Sequence, residues 1–172
     1  RLQQLIERLL HLAQVEQRQG LDEQVAVALQ PLVESLVQGQ MARIERAGLR
    51  VENLIPQTLS VRGERFLLRQ ALSNLLDNAL DFTPRGGLIR LAANASGELS
   101  DVRVFNQGEP IPDYALGRLC ERFYSLPRPA SGRKSTGLGL NFVREVALLH
   151  GGELALGNVE GGVEVRLSLP RA

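Results

Sequence analysis

The stretch Gln70–Pro84, QALSNLLDNALDFTP, is typical of the end of an amphipathic helix. It carries two asparagines, Asn74 and Asn78, and their spacing places both side chains on one face of such a helix. Leucines and alanines supply the apolar remainder of the surface. The two amides are either ordinary exposed polar residues or, because an amide oxygen is a hard ligand, part of a magnesium site that also binds phosphate oxygens.

Helical and strand patterns alternate irregularly on both sides of this stretch. Helical periodicity occurs in residues 1–19, 31–47, 64–83, 112–122 and 139–150. Short strands are predicted at 25–29, 49–54, 58–61, 88–93, 102–105, 153–156 and 163–169. The pattern predicts an α/β (α+β) two-layer sandwich, in which three helices cover one face of a mixed β-sheet.

The first helix is set apart from the rest of the chain. Its apolar residues form a stripe typical of a helical bundle, and Gly20 and Asp22 separate it from the next segment. We therefore predict two domains, with residues 1–20 contributing one bundle helix and residues 21–172 forming the second domain.

Composition excludes several classes of function. The net charge of +1 gives no bulk field for binding nucleic acid, and the single cysteine, Cys120, excludes an internal disulfide and a cysteine-rich zinc site. No apolar run approaches the roughly 20 residues of a membrane-spanning helix. Because the chain opens on a helical pattern without an initiator methionine, we expect any membrane or sensing portion to lie upstream of it.

A second informative stretch is Val104–Pro112, VFNQGEPIP, which comes after a predicted strand. One interpretation is a glycine turn after an edge strand. The other is that Asn106 faces a pocket and that Gly108 lets a flat ligand approach the backbone.

The third stretch is Thr136–Leu140, TGLGL, at the start of the last helix. It is either a glycine loop that ends at a helix or a phosphate cradle, because backbone N–H groups at a helix start attract anions. Arg133 and Lys134, which precede it, favour the cradle. The pattern of a P-loop is absent.

The order of these motifs is more specific than any one of them. NxxxNA on a helix, NxGxxIP after a strand, ERFY at 121–124, TGLGL and HGG occur in succession. Residues 21–170 resemble the catalytic ATP-binding domain of sensor histidine kinases, whose Bergerat fold is shared with Hsp90, gyrase B and MutL in the GHKL superfamily. The segment QLIERLLHLAQVE resembles the second helix of that family's dimerisation and phosphoacceptor domain.

The resemblance implies ATP and Mg²⁺ as cofactors and assigns roles by position. Asn78 and Asn74 would hold Mg²⁺, Phe82 would lie against adenine, and Asn106 stands where an aspartate usually accepts from the adenine amino group. Asp81 replaces a frequent lysine, so Arg133 and Lys134 are expected to supply the missing positive charge. The implied nucleotide-binding set is Asn74, Asn78, Asp81, Phe82, Asn106, Gly108, Ile111, Phe123, Tyr124, Arg133, Lys134, Ser135, Thr136, Gly137, Leu138, Gly139 and Leu140, in which Phe123 and Tyr124 anchor the lid at 126–136 or simply pack in the core.

The family's reaction transfers the ATP γ-phosphate to a histidine and then to a response regulator. Neither His11 nor His150 is succeeded by the residues that come after the family's acceptor histidine, so the acceptor is expected upstream of Arg1 and the chain contains no catalytic histidine of its own. The resemblance further implies a homodimer formed through the helical bundle, no nucleic-acid partner, and the cytoplasmic portion of a bacterial inner-membrane kinase.

Three other functions are compatible with parts of the pattern. A degenerate ATP-binding regulatory module without phosphotransfer is the first. A serine kinase of the anti-sigma type is the second, although the bundle helix argues against it. A conformational ATPase of the gyrase or Hsp90 kind is the third, but those enzymes place a glutamate base where this chain has Asn74.

Overall fold

The computed structural model describes residues 2–129 and 137–172. Over these residues the chain forms α1 (Leu2–Gln17), β1 (Val25–Ala28), α2 (Leu29–Gln38), α3 (Met41–Arg46), β2 (Arg50–Asn53), β3 (Ser60–Gly63), α4 (Arg65–Phe82), β4 (Leu88–Ser96), β5 (Leu99–Gln107), α5 (Asp113–Leu116), α6 (Gly139–Leu149), β6 (Glu153–Val159) and β7 (Gly162–Pro170). None of the described helices is both long enough and apolar enough to cross a lipid bilayer.

Five strands form the main sheet, in the order β2-β4-β5-β7-β6. Strand β2 runs parallel to β4, and the remaining pairs are antiparallel. Strands β1 and β3 pair antiparallel in a separate two-stranded sheet. Helices α2, α4 and α6 pack on one face of the main sheet. Arg90 and Arg103 lie on the other face, because the residues on either side of each of them in the strand are buried. The predicted two-layer fold with a mixed sheet is confirmed.

Helix α4 has one fully buried face and one half-buried polar edge. Its apolar residues recur every three or four positions, so they form one stripe that packs against α6 and β5. Burying each leucine stabilises the fold by about 2 kcal/mol, which fixes the rotation of the helix. The buried stripe consists of Leu67, Leu68, Ala71, Leu72, Leu75, Leu76, Ala79 and Leu80. Asn74, Asn78 and Asp81 are consequently only half-buried, at the edge of this stripe.

Several predicted elements have different bounds in the structure. The single helix expected over 31–47 is two helices, because the chain turns at Gly39 and Gln40. The helix expected over 112–122 is only the four residues of α5. The two strands expected on either side of Pro56 enter different sheets, β2 beside β4 and β3 beside β1. Strands β4 and β5 are longer than predicted because the turn at Gly97, with φ of 63°, lets the hairpin continue past its buried part.

Helix α1 is held to the rest of the chain by apolar contacts and an ion pair. Leu12 and Val15 are its buried residues, and the helix packs against α6. Beyond its end, the guanidinium of Arg18 donates to both carboxylate oxygens of Glu64, at 2.8 and 2.5 Å. Glu64 precedes α4, and its backbone N–H donates to Nε2 of the buried His150 at 3.1 Å. This group of contacts, the Glu64 junction, fixes the end of α1 against the start of α4.

Candidate functional site

A cleft of about 560 Å³ opens along the polar edge of α4. Residues of α1 and α3, the segment 119–128 and the start of α6 also border it. Its lining consists of Gln4, Glu7, Arg8, His11, Arg43, Gln70, Ser73, Asn74, Asp77, Asn78, Asp81, Phe82, Leu119, Tyr124, Ser125, Leu126, Arg128, Gly137, Leu138, Gly139, Leu140 and Phe142. The cleft therefore brings together parts of two motifs that lie more than fifty residues apart in sequence.

The paired asparagines line this cleft and are chemically suited to a hard metal ion. Asn74 and Asn78 are half-buried, and neither side-chain amide has a hydrogen-bond partner within residues 2–129 and 137–172. Two uncommitted carbonyl oxygens on one helix face can complete the shell of a Mg²⁺ ion that keeps water and phosphate oxygens as its other ligands. These residues thus fit the magnesium ion that the sequence implies.

The start of α6 also borders the cleft. Gly137, Leu138, Gly139 and Leu140 line it, and the N-cap residue Leu138 makes no side-chain capping hydrogen bond. The first backbone N–H groups of a helix have no acceptor within it, and the helix dipole adds positive potential there. An anion that reaches from Asn78 toward Gly139 would meet a metal ion on one side and backbone donors on the other.

Asp81 bonds to two arginines that the sequence did not single out. Arg43 donates from Nη2 to Oδ1 of Asp81, and Arg128 donates to Oδ2 from Nε at 3.1 Å and from Nη2 at 2.8 Å. The expected sources of positive charge, Arg133 and Lys134, lie outside the described residues. Arg128 belongs to the predicted lid at 126–136, but nothing in the sequence of α3 distinguishes Arg43 from its exposed neighbours.

Phe82, the predicted adenine contact, is covered on one face by an arginine. The guanidinium carbon of Arg128 lies 4.7 Å from the centre of the Phe82 ring. A cation over an aromatic face is attracted by the ring quadrupole, so this contact adds to the ion pair with Asp81. A flat ligand can stack on Phe82 only on the face that the guanidinium leaves open, or after Arg128 moves away.

Four described residues of the predicted set do not line the cleft: Asn106, Gly108, Ile111 and Phe123. Asn106 is buried in β5 and donates from Nδ2 to the carbonyl oxygen of Gln107 at 3.4 Å, which leaves its own amide oxygen without a donor among described residues. Gly108 lies against the end of α4: a Cβ there would be 3.2 Å from the carbonyl oxygen of Phe82. Ile111 is fixed to Asn158, which accepts from its N–H at 2.7 Å and donates to its carbonyl oxygen at 3.0 Å. Asn106 and Gly108 thus lie next to Phe82, beyond one end of the cleft.

The residues at the two sides of the predicted lid contact each other. The N–H of Phe123 donates to the carbonyl oxygen of Gly137 at 3.0 Å, and a side chain at Gly137 would overlap the Phe123 backbone. Phe123 has a positive φ of 65° and a ring that is 60% exposed, so core packing, one of its two predicted roles, is wrong. Tyr124 lines the cleft, and the guanidinium of Arg118 lies 4.4 Å from its ring centre. Ser135 and Thr136 lie outside the described residues.

Asp77 gives the cleft an unusual carboxylate. Burial raises its pKa, and this effect outweighs the opposing attraction of Arg43, whose Nη1 lies 3.8 Å from Oδ1 of Asp77. Gln40 donates to the same oxygen at 3.0 Å. Asp77 is therefore held by groups of α3 and by the turn before it.

Comparison with known proteins identifies the family of the chain. The profile of the family described as "Histidine kinase-, DNA gyrase B-, and HSP90-like ATPase" matches residues 63–172, more than half of the chain. The chain belongs to this family. The predicted resemblance to the catalytic domain of sensor histidine kinases is thereby confirmed.

Two relatives share almost the whole sequence. The chain is 46% identical to the sensor protein CreC of Escherichia coli strain K12 over 172 residues, which cover 99% of this chain and 36% of CreC. The motifs IPDYAL, ERFYSLPR and DNALDFTP favour the same protein. The chain is 31% identical to the sensor histidine kinase SpaK of Bacillus subtilis, over 98% of this chain and 37% of SpaK. It spans about a third of the length of these curated relatives.

Solved structures share the fold. The nucleotide-free catalytic domain of the histidine kinase ThkA superposes with a TM-score of 0.78 at 25% identity, covering 87% of this chain and 96% of that one. Full-length ShkA, solved in complex with AMPPNP, gives a TM-score of 0.83 at 24% identity over 99% of this chain and 36% of that one. ThkA in complex with the response regulator TrrA gives 0.79 at 22% identity, over 99% of this chain and 47% of that one. The last two likenesses are of fold alone.

Proposed function

We propose that this chain binds ATP with Mg²⁺ in the cleft and, as part of a longer sensor histidine kinase, presents the γ-phosphate to a histidine outside these residues. The observation that carries the proposal is the pair of uncommitted amides, Asn74 and Asn78, which line the same cleft as the start of α6. Hard oxygen ligands and backbone donors in one cleft match a metal-bound polyphosphate.

Each end of the cleft would hold a different part of the nucleotide. Mg²⁺ would neutralise charge on the phosphates and bridge their oxygens, with Asn78 and Asn74 as its protein ligands. Gly137 and Gly139 would border the phosphates, and Phe82, with Asn106 just outside the cleft, would form the adenine end. Phosphoryl transfer depends mainly on positioning and charge neutralisation, so no nucleophile is required from this chain.

The partners of the longer protein belong to the same proposal. A helical bundle that includes α1 would form the homodimer and carry the acceptor histidine, and a CreB-like response regulator would receive the phosphate. The fragment would belong to the cytoplasmic portion of an inner-membrane protein. The 46% identity to CreC and the exposed side chains of Leu2, Ile6 and Leu10 on α1 support this assignment.

Calorimetric titration of the chain with ATP tests the binding step. With Mg²⁺ present, we expect saturable binding that the Asn78→Ala variant weakens by about 30-fold, equivalent to about 2 kcal/mol. Omitting Mg²⁺ should weaken the wild type strongly and the variant little, because the variant has already lost the metal. Asn94→Ala, at an exposed position of β4, is the matched control and should bind as the wild type does.

A second candidate, an ATP-binding regulatory module without transfer, is favoured by one observation: Arg128 covers one face of Phe82, the ring predicted to lie against adenine. Incubation of the longer kinase with γ-labelled ATP separates the two. Acid-labile, alkali-stable label on the protein supports the kinase, whereas ATP binding without label supports the module. Stable label on the 172-residue chain itself would contradict the proposal that the acceptor lies elsewhere.

A further inference from the structure

The carboxylate of Asp81 joins three parts of the chain. One oxygen accepts from Arg43 of α3, and the other accepts from Arg128, near the start of the predicted lid. Two guanidiniums therefore share one carboxylate at this corner of the cleft, and Asp77 lies 3.8 Å from Nη1 of Arg43.

The two arginines are not equally available to a ligand. Arg128 donates from Nε and Nη2 to Asp81 and from Nη1 to Oγ of Ser125 at 3.0 Å and to the carbonyl oxygen of Leu126 at 3.3 Å. It also covers Phe82, and only 12% of its side chain is exposed. Nearly all of its donors are occupied, so it fastens the segment 125–128 to the end of α4.

Arg43 is committed much less. Its side chain is 36% exposed and lines the cleft, and within the described chain only Nη2 makes a hydrogen bond. The 3.8 Å separation from Asp77 is too long for one. Nε and Nη1 thus remain able to donate to an anion while Asp81 holds the group in place. Arg43 also precedes the residues that match the family profile.

We propose that Arg43 is a phosphate-binding residue of this site, and that Asp81 is the positioning residue that aims it. The proposal rests on the function proposed above and names the cation that works with Mg²⁺. A guanidinium presents several donors in a fixed plane, which suits it to phosphate oxygens once one edge is anchored. In this arrangement Asp81 does not contact the nucleotide; its carboxylate orients Arg43 and at the same time ties down Arg128.

The test compares ligands that differ only in phosphate number. Calorimetry with adenosine, MgADP and MgATP on the Arg43→Gln variant should show affinity for MgATP lowered by about 10-fold and affinity for adenosine changed by less than about 2-fold. Arg46→Gln, which removes an exposed arginine from the same helix, should leave all three affinities unchanged. Arg43→Lys should fall between, because it keeps the charge and loses the planar fork.

Asp81 is tested through its coupling to Arg43. Asp81→Asn should lower the ratio of MgATP to adenosine affinity in the wild-type background and add no further reduction in Arg43→Gln. A carboxylate that merely repelled ATP would give the opposite sign, since its neutralisation would raise MgATP affinity. That result would overturn the positioning role.

The Arg43 assignment and the binding proposal can fail separately. If the wild type binds MgATP and Asn78→Ala weakens it, but Arg43→Gln binds like the wild type or loses adenosine and MgATP equally, the Arg43 assignment is wrong and the function stands. If the wild type binds no nucleotide, both fail. Should Arg43→Gln not fold, the ¹⁵N resonance of Arg43 Nε in the wild type decides: it should shift with MgATP and not with adenosine, and a shift equal for both would overturn the assignment.

Discussion

The two ends of α4 use the same chemistry for different purposes. Before its first turn, Glu64 accepts both guanidinium hydrogen bonds of Arg18 and the N–H of Asp22 at 2.8 Å. In its last turn, Asp81 accepts from Arg43 and Arg128. The Glu64 side chain is 12% exposed, whereas that of Asp81 is 27% exposed and borders a cleft.

What separates the two ends is whether the network is complete. At the Glu64 junction both carboxylate oxygens accept hydrogen bonds and both Nη atoms of Arg18 donate them, and the arginine hydrogen bonds lower the pKa of Glu64 to about 2. At Asp81, Arg43 keeps donors that the described protein does not use. A closed network fixes geometry, and an open network can accept a ligand. The Glu64 junction is accordingly structural, and the Asp81 end of α4 is part of the candidate site.

The largest expected effect on the free energy of unfolding comes from breaking the Glu64 junction. Glu64→Ala leaves Arg18 without its carboxylate in a mostly buried position, and we expect a loss of about 3 kcal/mol in the free energy of unfolding. Urea denaturation followed by circular dichroism measures it. Glu52→Ala, which breaks the exposed pair with Arg90, is the control and should cost less than about 1 kcal/mol. Equal losses in the two variants would remove the distinction between the ends.

Lowering the pH should weaken the Glu64 junction. The folded pKa of Glu64 is about 2 against an ordinary value of 4.5, so its contribution is fully present above pH 4.5 and is lost as the pH falls toward 2. We expect about 2 kcal/mol from this group in that window. Unfolding free energies at pH 6 and pH 3 in the wild type and Glu64→Gln give the difference, which should shrink at the lower pH. A constant difference would argue against the shifted pKa.

A substitution at Asp81 should change the free energy of unfolding less than a substitution at Glu64 does. Asp81→Asn removes the charge from two ion pairs that are partly exposed, and we expect a loss of about 1 kcal/mol in the free energy of unfolding. Thermal denaturation without nucleotide is the measurement, with Asp113→Asn at an exposed position of α5 as control. A loss as large as that of Glu64→Ala would mean that Asp81 is as structural as Glu64.

The smallest expected effect on the free energy of unfolding involves His150, which contacts Glu64. Its Nε2 accepts from the N–H of Glu64, so Nδ1 carries the proton donated to the Val146 carbonyl oxygen at 2.8 Å, and burial lowers the pKa of this imidazole. A folded pKa below 6.5 means that its contribution is present above pH 6.5 and is lost as the pH falls below that value. We expect less than about 1 kcal/mol between pH 7 and pH 5.5. His11→Gln, on exposed α1, should keep this dependence, and His150→Gln should lose it.

Sequence was sufficient for the parts that depend on local pattern. The periodicity of α4 determined which face is buried, and with it the positions of Asn74 and Asn78 in the cleft. The glycines of TGLGL likewise placed the start of α6 there. The family was predictable from the order of such motifs, because each one is a local requirement of the fold.

The remaining parts depend on contacts between distant segments. Arg43 reaches Asp81 across 38 positions and Arg128 across 47, and no periodicity in the sequence encodes either pairing. The separation of β2 and β3 into different sheets also escaped prediction, since short strands show where they begin but not which neighbour they pair with. Asn106, Gly108 and Ile111 were assigned to the nucleotide by position, whereas the packing of β5 and Asn158 keeps them outside the cleft.

The backbone hydrogen bond from the N–H of Phe123 to the carbonyl oxygen of Gly137 has a consequence for how this part of the chain can evolve. It ties together the two points from which the intervening segment departs, so α6 begins at the same place whatever lies between. Changing the length of a closed loop alters its entropy only slowly, by about 0.6 kcal/mol for each doubling. Insertions and deletions between these two residues can therefore accumulate among relatives without moving the glycines that face the cleft.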